Sequence, residues 1–277
     1  MNIYQLLKQP FFGRFMVDWQ SPLSPGQQKD WQPVQVESRS GATIQGLLGR
    51  ADTKVAKAVI VLGHPMGKEA KGYFIKHGYT DLLRRHGYHT LVFDINGFGE
   101  STCGNFNFYE DLLAIGAEAT QLVPNLPVGY FGISLGAQWA SIAFADDNHP
   151  YRFAILESPP STLEEFWVKF PLAYAALRTM NFFAPRYSRR MKTVERIKEA
   201  RHLQSLLFIY SESDQWTPVS MGKRYQKNAP VPAELWVVEQ AEHAQIMKSE
   251  YRAAYQEKIL SFFDRSVRAL EKSSVHS

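Results

Sequence analysis

The chain has 277 residues, 45% hydrophobic and 21% charged, which are the proportions of a globular protein and not of a disordered or fibrous one. Lys plus Arg less Asp plus Glu is 31 − 27 = +4, too small an excess over this length to argue for a nucleic-acid partner. A single cysteine excludes a disulfide-stapled scaffold, and no apolar run approaches the ~18 residues of a membrane span.

The amino terminus, MNIYQLLKQPFFGRF, has only short apolar runs, broken by Lys8, Pro10 and Arg14, and no small-residue cleavage signal. A cytoplasmic protein with no integral membrane segment is therefore expected. Leu6, Leu7, Phe11, Phe12 and Phe15 read as an arm laid over the core in preference to a lipid anchor. Ser21 to Gly26 (SPLSPG) reads as a linker, so residues 1–32 are set apart. From there the pattern changes to short β-branched or apolar runs separated by stretches of helical spacing. Strands are predicted at Val34–Ser38, Thr43–Leu48, Ala58–Leu62, Thr90–Phe93, Val128–Gly132, Phe153–Leu156, Ser205–Tyr210 and Glu234–Val238. AVIVL and SLLFIY are nearly continuous apolar runs, as for strands buried on both faces of a parallel sheet. The first two runs are joined by Ser40-Gly41 and read as an antiparallel edge hairpin.

Phe108, Leu112, Ile115, Ala119 and Leu122 make one apolar helical face, and Tyr255, Ile259, Phe262 and Val267 a weaker one. Alternating strands and helices predict an α/β fold, an eight-stranded, mostly parallel, doubly wound sheet formed by residues 33–158 and 203–277. Residues 159–202 hold no convincing strand. With Leu163, Phe166, Trp167 and Phe170 at helical spacing, they read as an inserted helical cap over the sheet's carboxyl edge.

Chemistry concentrates at Gly132-Ile133-Ser134-Leu135-Gly136, a G-x-S-x-G pentapeptide between an apolar strand and a helix-compatible run. That setting is the one a nucleophile elbow needs: the serine sits on a strained turn, and glycines two positions either side relieve crowding. The bland alternative is a strand-to-helix connection that happens to use two glycines. A serine hydroxyl needs a base, and in such elbows acid and then histidine follow the serine along the chain. Of the later histidines, His149 leaves no room for an acid-bearing strand, His202 ends the cap, and His276 lies in a polar tail. His243, in the loop after ELWVV, is the expected base. Asp214, in the loop after the run ending at Tyr210, is the expected acid, with Glu157 and Glu212 as competitors. The oxyanion donors are expected to be the backbone N–H groups of Leu135 and Met66, since Pro65 has none.

These segments together, GHPMG (Gly63–Gly67), DINGFGES (Asp94–Ser101), GISLG, YSESDQWTP (Tyr210–Pro218) and AEH (Ala241–His243), resemble the α/β-hydrolase superfamily. The resemblance spans about Val34 to Leu270 and is closest to serine esterase, thioesterase and aminopeptidase-like members with a helical cap. It implies that Asp94 supports the loop before the serine without serving as the triad acid. Pro65 departs from the family's HG-x-G pattern. Phe166, Trp167, Phe170 and Trp216 are candidate substrate-binding residues, and Phe182 and Phe183 could join them. The basic run Arg186, Arg189, Arg190, Lys192, Arg196, Lys198 and Arg201 reads as a solvated face, or else as an anion-binding rim for a phosphorylated carrier. Cys103 reads as a bystander thiol. No His/Cys ligand cluster points to a metal, and no cofactor is implied. The function expected is hydrolysis of a small-molecule carboxylic ester or thioester with an apolar acyl group. The alternatives are peptidase or amidase action and a non-catalytic binding module of the same fold.

Overall fold

A computed structural model describes residues 2–185 and 191–275. Its frame is one eight-stranded sheet: β1 (Trp31–Glu37), β2 (Thr43–Gly49), β3 (Ala58–Gly63), β4 (Tyr88–Phe93), β5 (Val128–Ile133), β6 (Tyr151–Glu157), β7 (Ser205–Ser211) and β8 (Ala233–Val238). The strand order is β1-β2-β4-β3-β5-β6-β7-β8. β2 pairs antiparallel with both β1 and β4, and every other pairing is parallel. All eight predicted runs are strands, and the first two form the edge hairpin. β1 begins at Trp31, earlier than its apolar pattern suggested, with Pro33 accommodated because an edge strand can spare one N–H.

β3 and β7 alternate between two cores, one on each face of the sheet. Val59, Val61, Leu206 and Phe208 point to one, and Ile60, Leu62, Leu207 and Ile209 to the other. That double burial is why these strands are apolar at almost every position. The sheet is covered by α1 (Ile3–Phe12), α2 (Pro25–Gln28), α3 (Gly72–Lys76), α4 (Tyr79–Arg85), α5 (Tyr109–Leu122) and α6 (Leu135–Ala143). These are followed by α7 (Leu163–Trp167), α8 (Pro171–Phe183), α9 (Thr193–Arg196), α10 (Val219–Asn228) and α11 (Arg252–Val275). Phe108, Leu112, Ile115 and Ala119 are fully buried, as are Tyr255 and Ile259 of α11, so both predicted stripes face the core.

Three local readings change. Ser21 to Gly26 is not wholly linker: Ser24 caps α2 in a reciprocal capping box with Gln27, and Pro25 opens that helix. The Leu163–Phe170 stripe is not one helix. α7 stops at Trp167, and Phe170, extended at φ −123° because Pro171 follows it, starts α8. Phe182 and Phe183 are 79% and 78% exposed at the end of α8 and line no pocket near the serine. Arg186, Arg189, Arg190 and His276 lie outside the described residues.

The amino-terminal arm lies against the core. Phe12 is buried with its ring edge-on to Phe98, Phe108 and Trp167 at 5.5 to 5.7 Å. Lys8 is buried with it, hydrogen-bonded to Asn96 and 4.2 Å from the Phe108 ring centroid, and burial lowers its pKa to about 8.

Candidate active site

β3, β4, β5, β6, β7 and β8 run parallel, so their carboxyl ends open on one rim. In chain order the sheet grows outward from β3 to β4 and then in the other direction through β5, which makes this rim a topological switch point. Ser134 follows β5 at φ 50°, ψ −105°, a conformation that costs an L-residue energy and points its side chain out of the strand-to-helix turn. The turn is closed by Ser134 N–H donating to the Glu157 carbonyl at 2.8 Å and Gly136 N–H donating to the His64 carbonyl at 3.1 Å. Glycine is needed at Gly136 because a Cβ there would stand 2.1 Å from the Gly63 carbonyl oxygen, and at Gly132 because one would stand 2.7 Å from the Ala137 nitrogen.

His243 lies on the loop after β8 and Asp214 on the loop after β7. His243 Nε2 is 2.7 Å from Ser134 Oγ, and His243 Nδ1 is 2.7 Å from Asp214 Oδ2. Asp214 Oδ1 accepts the backbone N–H groups of Trp216 and Thr217, and its Oδ2 accepts the Thr217 hydroxyl at 2.6 Å. Burial works against the charged carboxyl, but the bonds from His243 and Thr217 outweigh it and hold its pKa below the ordinary carboxylate value. Asp214 is thus an anion placed to accept a hydrogen bond from His243 Nδ1–H, which leaves Nε2 facing Ser134 Oγ. The histidine loop is pinned from below: Tyr73 donates its hydroxyl to the carbonyl of Ala244, itself at φ 57°.

His64 is fully buried. It accepts the Ile95 N–H at Nε2, and its Nδ1 meets the Pro65 carbonyl at 2.8 Å, so the proton sits on Nδ1. Desolvation lowers its pKa, and the ring is neutral. It joins the loop after β3 to the loop after β4, where Asp94 accepts the Lys71 ammonium at 2.6 Å and the Glu100 N–H at 2.9 Å. Asp94 is therefore a loop support, as the resemblance implied. Met66 and Leu135 both line a small cavity at Ser134, and Leu135, first in its helix, has an N–H with no intrahelical acceptor.

A family model described as serine aminopeptidase, S33, matches residues 54–204, more than half of the chain. The chain belongs to this α/β-hydrolase family. This S33-family chain is 23% identical over 255 residues to the uncharacterized protein YqkD of Bacillus subtilis, with 76% of this chain and 80% of YqkD covered. An esterase of Pyrococcus furiosus shares the fold at a TM-score of 0.69 and 17% identity, over 90% of this chain and 98% of the esterase. An acylaminoacyl peptidase of Pyrococcus horikoshii does so at 0.62 and 16%, over 86% of this chain and 42% of the peptidase. An esterase domain of a Rhodothermus marinus protein does so at 0.62 and 18%, over 86% of this chain and 99% of that domain.

In this S33-family chain an open cleft of about 360 Å³ leads to Ser134 and His243. Of the predicted substrate contacts, Phe166, Phe170 and Trp216 line it, with Phe170 and Trp216 stacked at 5.3 Å. Trp167 is absent from its wall and faces inner cavities instead. Glu157 does not reach His243. Its carboxyl bonds to Tyr255, and burial raises its pKa to about 8, so it is neutral at pH 7 and unsuited to stabilise an imidazolium. Glu212 is exposed. The described members of the basic run are largely engaged or turned to solvent: Arg196 pairs with Glu199 and Lys198 with Glu195. Cys103 is a half-buried free thiol. Sequence reading missed Thr217 as the second partner of Asp214, although a Thr three residues after an Asp is a common turn signal. It also missed Arg14 and Phe15 in the cleft wall, for which no local motif exists. Among the described residues no helix is long and apolar enough to cross a membrane.

Proposed function

We propose that this protein is a serine hydrolase that cleaves a carboxylic ester or thioester through an acyl-enzyme. The observation that carries this reading is the hydrogen-bonded row Ser134–His243–Asp214, with 2.7 Å at each step. Ser134 Oγ attacks the acyl carbonyl carbon as its proton passes to His243 Nε2. The oxyanion of the tetrahedral intermediate is held by the N–H groups of Leu135 and Met66. Collapse breaks the bond to the leaving group, which takes the proton from His243 and departs. Water then gives its proton to His243 and attacks the acyl carbon. The carboxylic acid leaves, and the proton returns to Ser134 Oγ.

The family's name directs attention to aminopeptidase action, which would need a carboxylate to hold a substrate ammonium in the cleft. Glu69 is the one carboxylate among the described wall residues, and Lys76 and His77 already bind it. Ester or thioester cleavage is the reading the wall favours. A fluorophosphonate probe tests it: wild type labels, and Ser134→Ala does not. Folded wild type that stays unlabelled and inactive on nitrophenyl esters of every chain length overturns the proposal in favour of a binding module. Faster release from aminoacyl arylamides than from esters hands it to a peptidase.

A further inference from the structure

In the proposed reaction the leaving group takes its proton from His243 Nε2, which stands 2.7 Å from Ser134 Oγ, so it departs within reach of the His243 loop. Ala244 and Gln245, then Lys248 on the turn Ile246–Lys248, continue that loop along the wall of the open cleft. The segment after β3 that carries Lys68 and Glu69 leads into α3, and Tyr73 of α3 donates its hydroxyl to the Ala244 carbonyl at 2.6 Å. That bond ties the two segments together on one wall. Arg14, from the end of the amino-terminal arm, lines the same cleft.

Arg14, Lys68 and Lys248 are exposed cations, and among the described residues none of them is in an ion pair. Lys57, Arg224, Lys258 and Arg265, also at the surface, each hold a carboxylate at 2.6 to 2.8 Å. Two of the three cleft cations lie against aromatic rings instead. The Arg14 guanidinium is 4.5 Å from the Phe15 ring centroid, and the Lys248 ammonium is 5.7 Å from that of Tyr73. Glu69, the carboxylate of this wall, is engaged by Lys76 and His77, neither of which lines the cleft. The cleft thus keeps an excess of positive charge beside the reacting centre, and a concave wall of one sign attracts an anion of the substrate.

We infer that Arg14, Lys68 and Lys248 form an anion subsite for the leaving group, and that the substrate is an ester or thioester of a compact alcohol or thiol that itself bears a phosphate or a carboxylate. This inference rests on the serine-hydrolase reading above and assigns the part of the substrate that reading leaves open. The cleft holds about 360 Å³ and its wall includes Ser134 and His243 as well as the three cations, so the anion belongs a few bonds from the scissile carbonyl. His243 Nε2–H still protonates the departing oxygen or sulfur. The subsite holds the distal anion, takes no part in proton transfer, and releases the alcohol or thiol with its anion unchanged. Three long side chains at the surface act through charge more than through fixed geometry, so the preference they confer is sensitive to salt.

The test is kcat/KM within two matched pairs, each value corrected by Ser134→Ala. One pair is the butyryl thioesters of N-acetylcysteine and N-acetylcysteamine, which differ by a carboxylate. The other is the butyryl esters of glycerol 3-phosphate and glycerol, which differ by a phosphate. Wild type at low ionic strength is expected to favour the anionic member of a pair by about tenfold, and the pair that shows it identifies the anion. The preference shrinks as salt rises from about 0.01 M to about 1 M, where the screening length falls from ~30 Å to ~3 Å. Lys68→Glu and Lys248→Glu each lower the anionic-to-neutral ratio by about fivefold or more. The salt series on wild type decides the case if a variant fails to fold. A ratio near one in both pairs, or one unmoved by salt and by the folded variants, overturns the subsite and leaves the hydrolase standing. So does wild type that labels with the fluorophosphonate yet cleaves neither anionic compound. Folded wild type that neither labels nor cleaves overturns the hydrolase reading, and the subsite with it.

Discussion

Two carboxyls near the proposed nucleophile, Ser134, differ in the one property the proposed reaction depends on. Asp214 receives two backbone N–H groups, the Thr217 hydroxyl and His243, and stays charged. Glu157, fully buried with Tyr255 as the partner of one oxygen, has its other oxygen unpaired and is neutral at pH 7. Asp214→Asn is therefore expected to lower turnover by ~10⁴, because an amide neither fixes the imidazole tautomer nor stabilises its charged form. Steady-state kinetics on a cleaved ester checks this. Glu157→Gln is expected to lose less than about tenfold, and its larger effect falls on stability. Glu157 has a folded pKa of about 8 against 4.5 unfolded, so the folded state holds the proton longer. Stability from this group is present below pH 4.5 and lost as pH rises through 8. Urea titrations at pH 6 and pH 9 should show the variant gaining on wild type, by on the order of 2 kcal/mol at the higher pH. An equal difference at both pH values would refute the assignment.

At the scale of elements, the site depends on how closely α6 approaches the end of β3. All nine α6 residues are buried, and Gly136 makes the contact with Gly63. A methyl at Gly136 would meet a backbone carbonyl, which cannot rotate aside as a side chain can. Gly136→Ala should therefore cost about 3 kcal/mol or more, read as a lower urea midpoint, and should displace Leu135 N–H enough to reduce activity in whatever folds. Gly26→Ala, where a Cβ would meet nothing within 4 Å, serves as the control and should leave the midpoint within about 0.5 kcal/mol. The arm α1 behaves as a structural element of the core. It had only a cluster of apolar letters to announce it, yet it buries Lys8, Phe11 and Phe12 and supplies wall residues to the inner cavities.

Over the whole molecule, one contribution to acid sensitivity comes from a histidine remote from the candidate active site. His149 is buried between Phe144, Tyr151 and His202, and neither ring nitrogen has a partner. Desolvation, with the nearby His202, lowers its pKa to about 4. The unfolded chain takes up the proton near pH 6.5, before the folded one does. The stability is thus intact above pH 6.5 and drains away as pH falls toward 4, by on the order of 3 kcal/mol from this group. His149→Phe should flatten the melting-temperature profile between pH 6.5 and 4 and leave ester kinetics near neutrality unaltered. A profile as steep as wild type would place the acid lability elsewhere.

Local features were enough to place eight strands, the strained turn at Ser134 and the loops bearing Asp214 and His243. Each rests on near neighbours: a two-sided apolar run, two glycines around a serine, a polar loop after a strand. The choice of Asp214 over Glu157 rested on its loop after the run ending at Tyr210 and on its spacing to Ser134 and His243, and only the tertiary structure supplies a physical ground for it, because ionisation depends on partners brought from other strands. The same holds for the solvent exposure of Phe182 and Phe183, whereas the break between α7 and α8 has a local cause in Pro171. It holds most of all for Phe12, more than a hundred residues from Ser134 along the chain and part of the same cavity wall. A cavity is made by side chains that share no sequence neighbourhood, and packing of distant segments decides its shape.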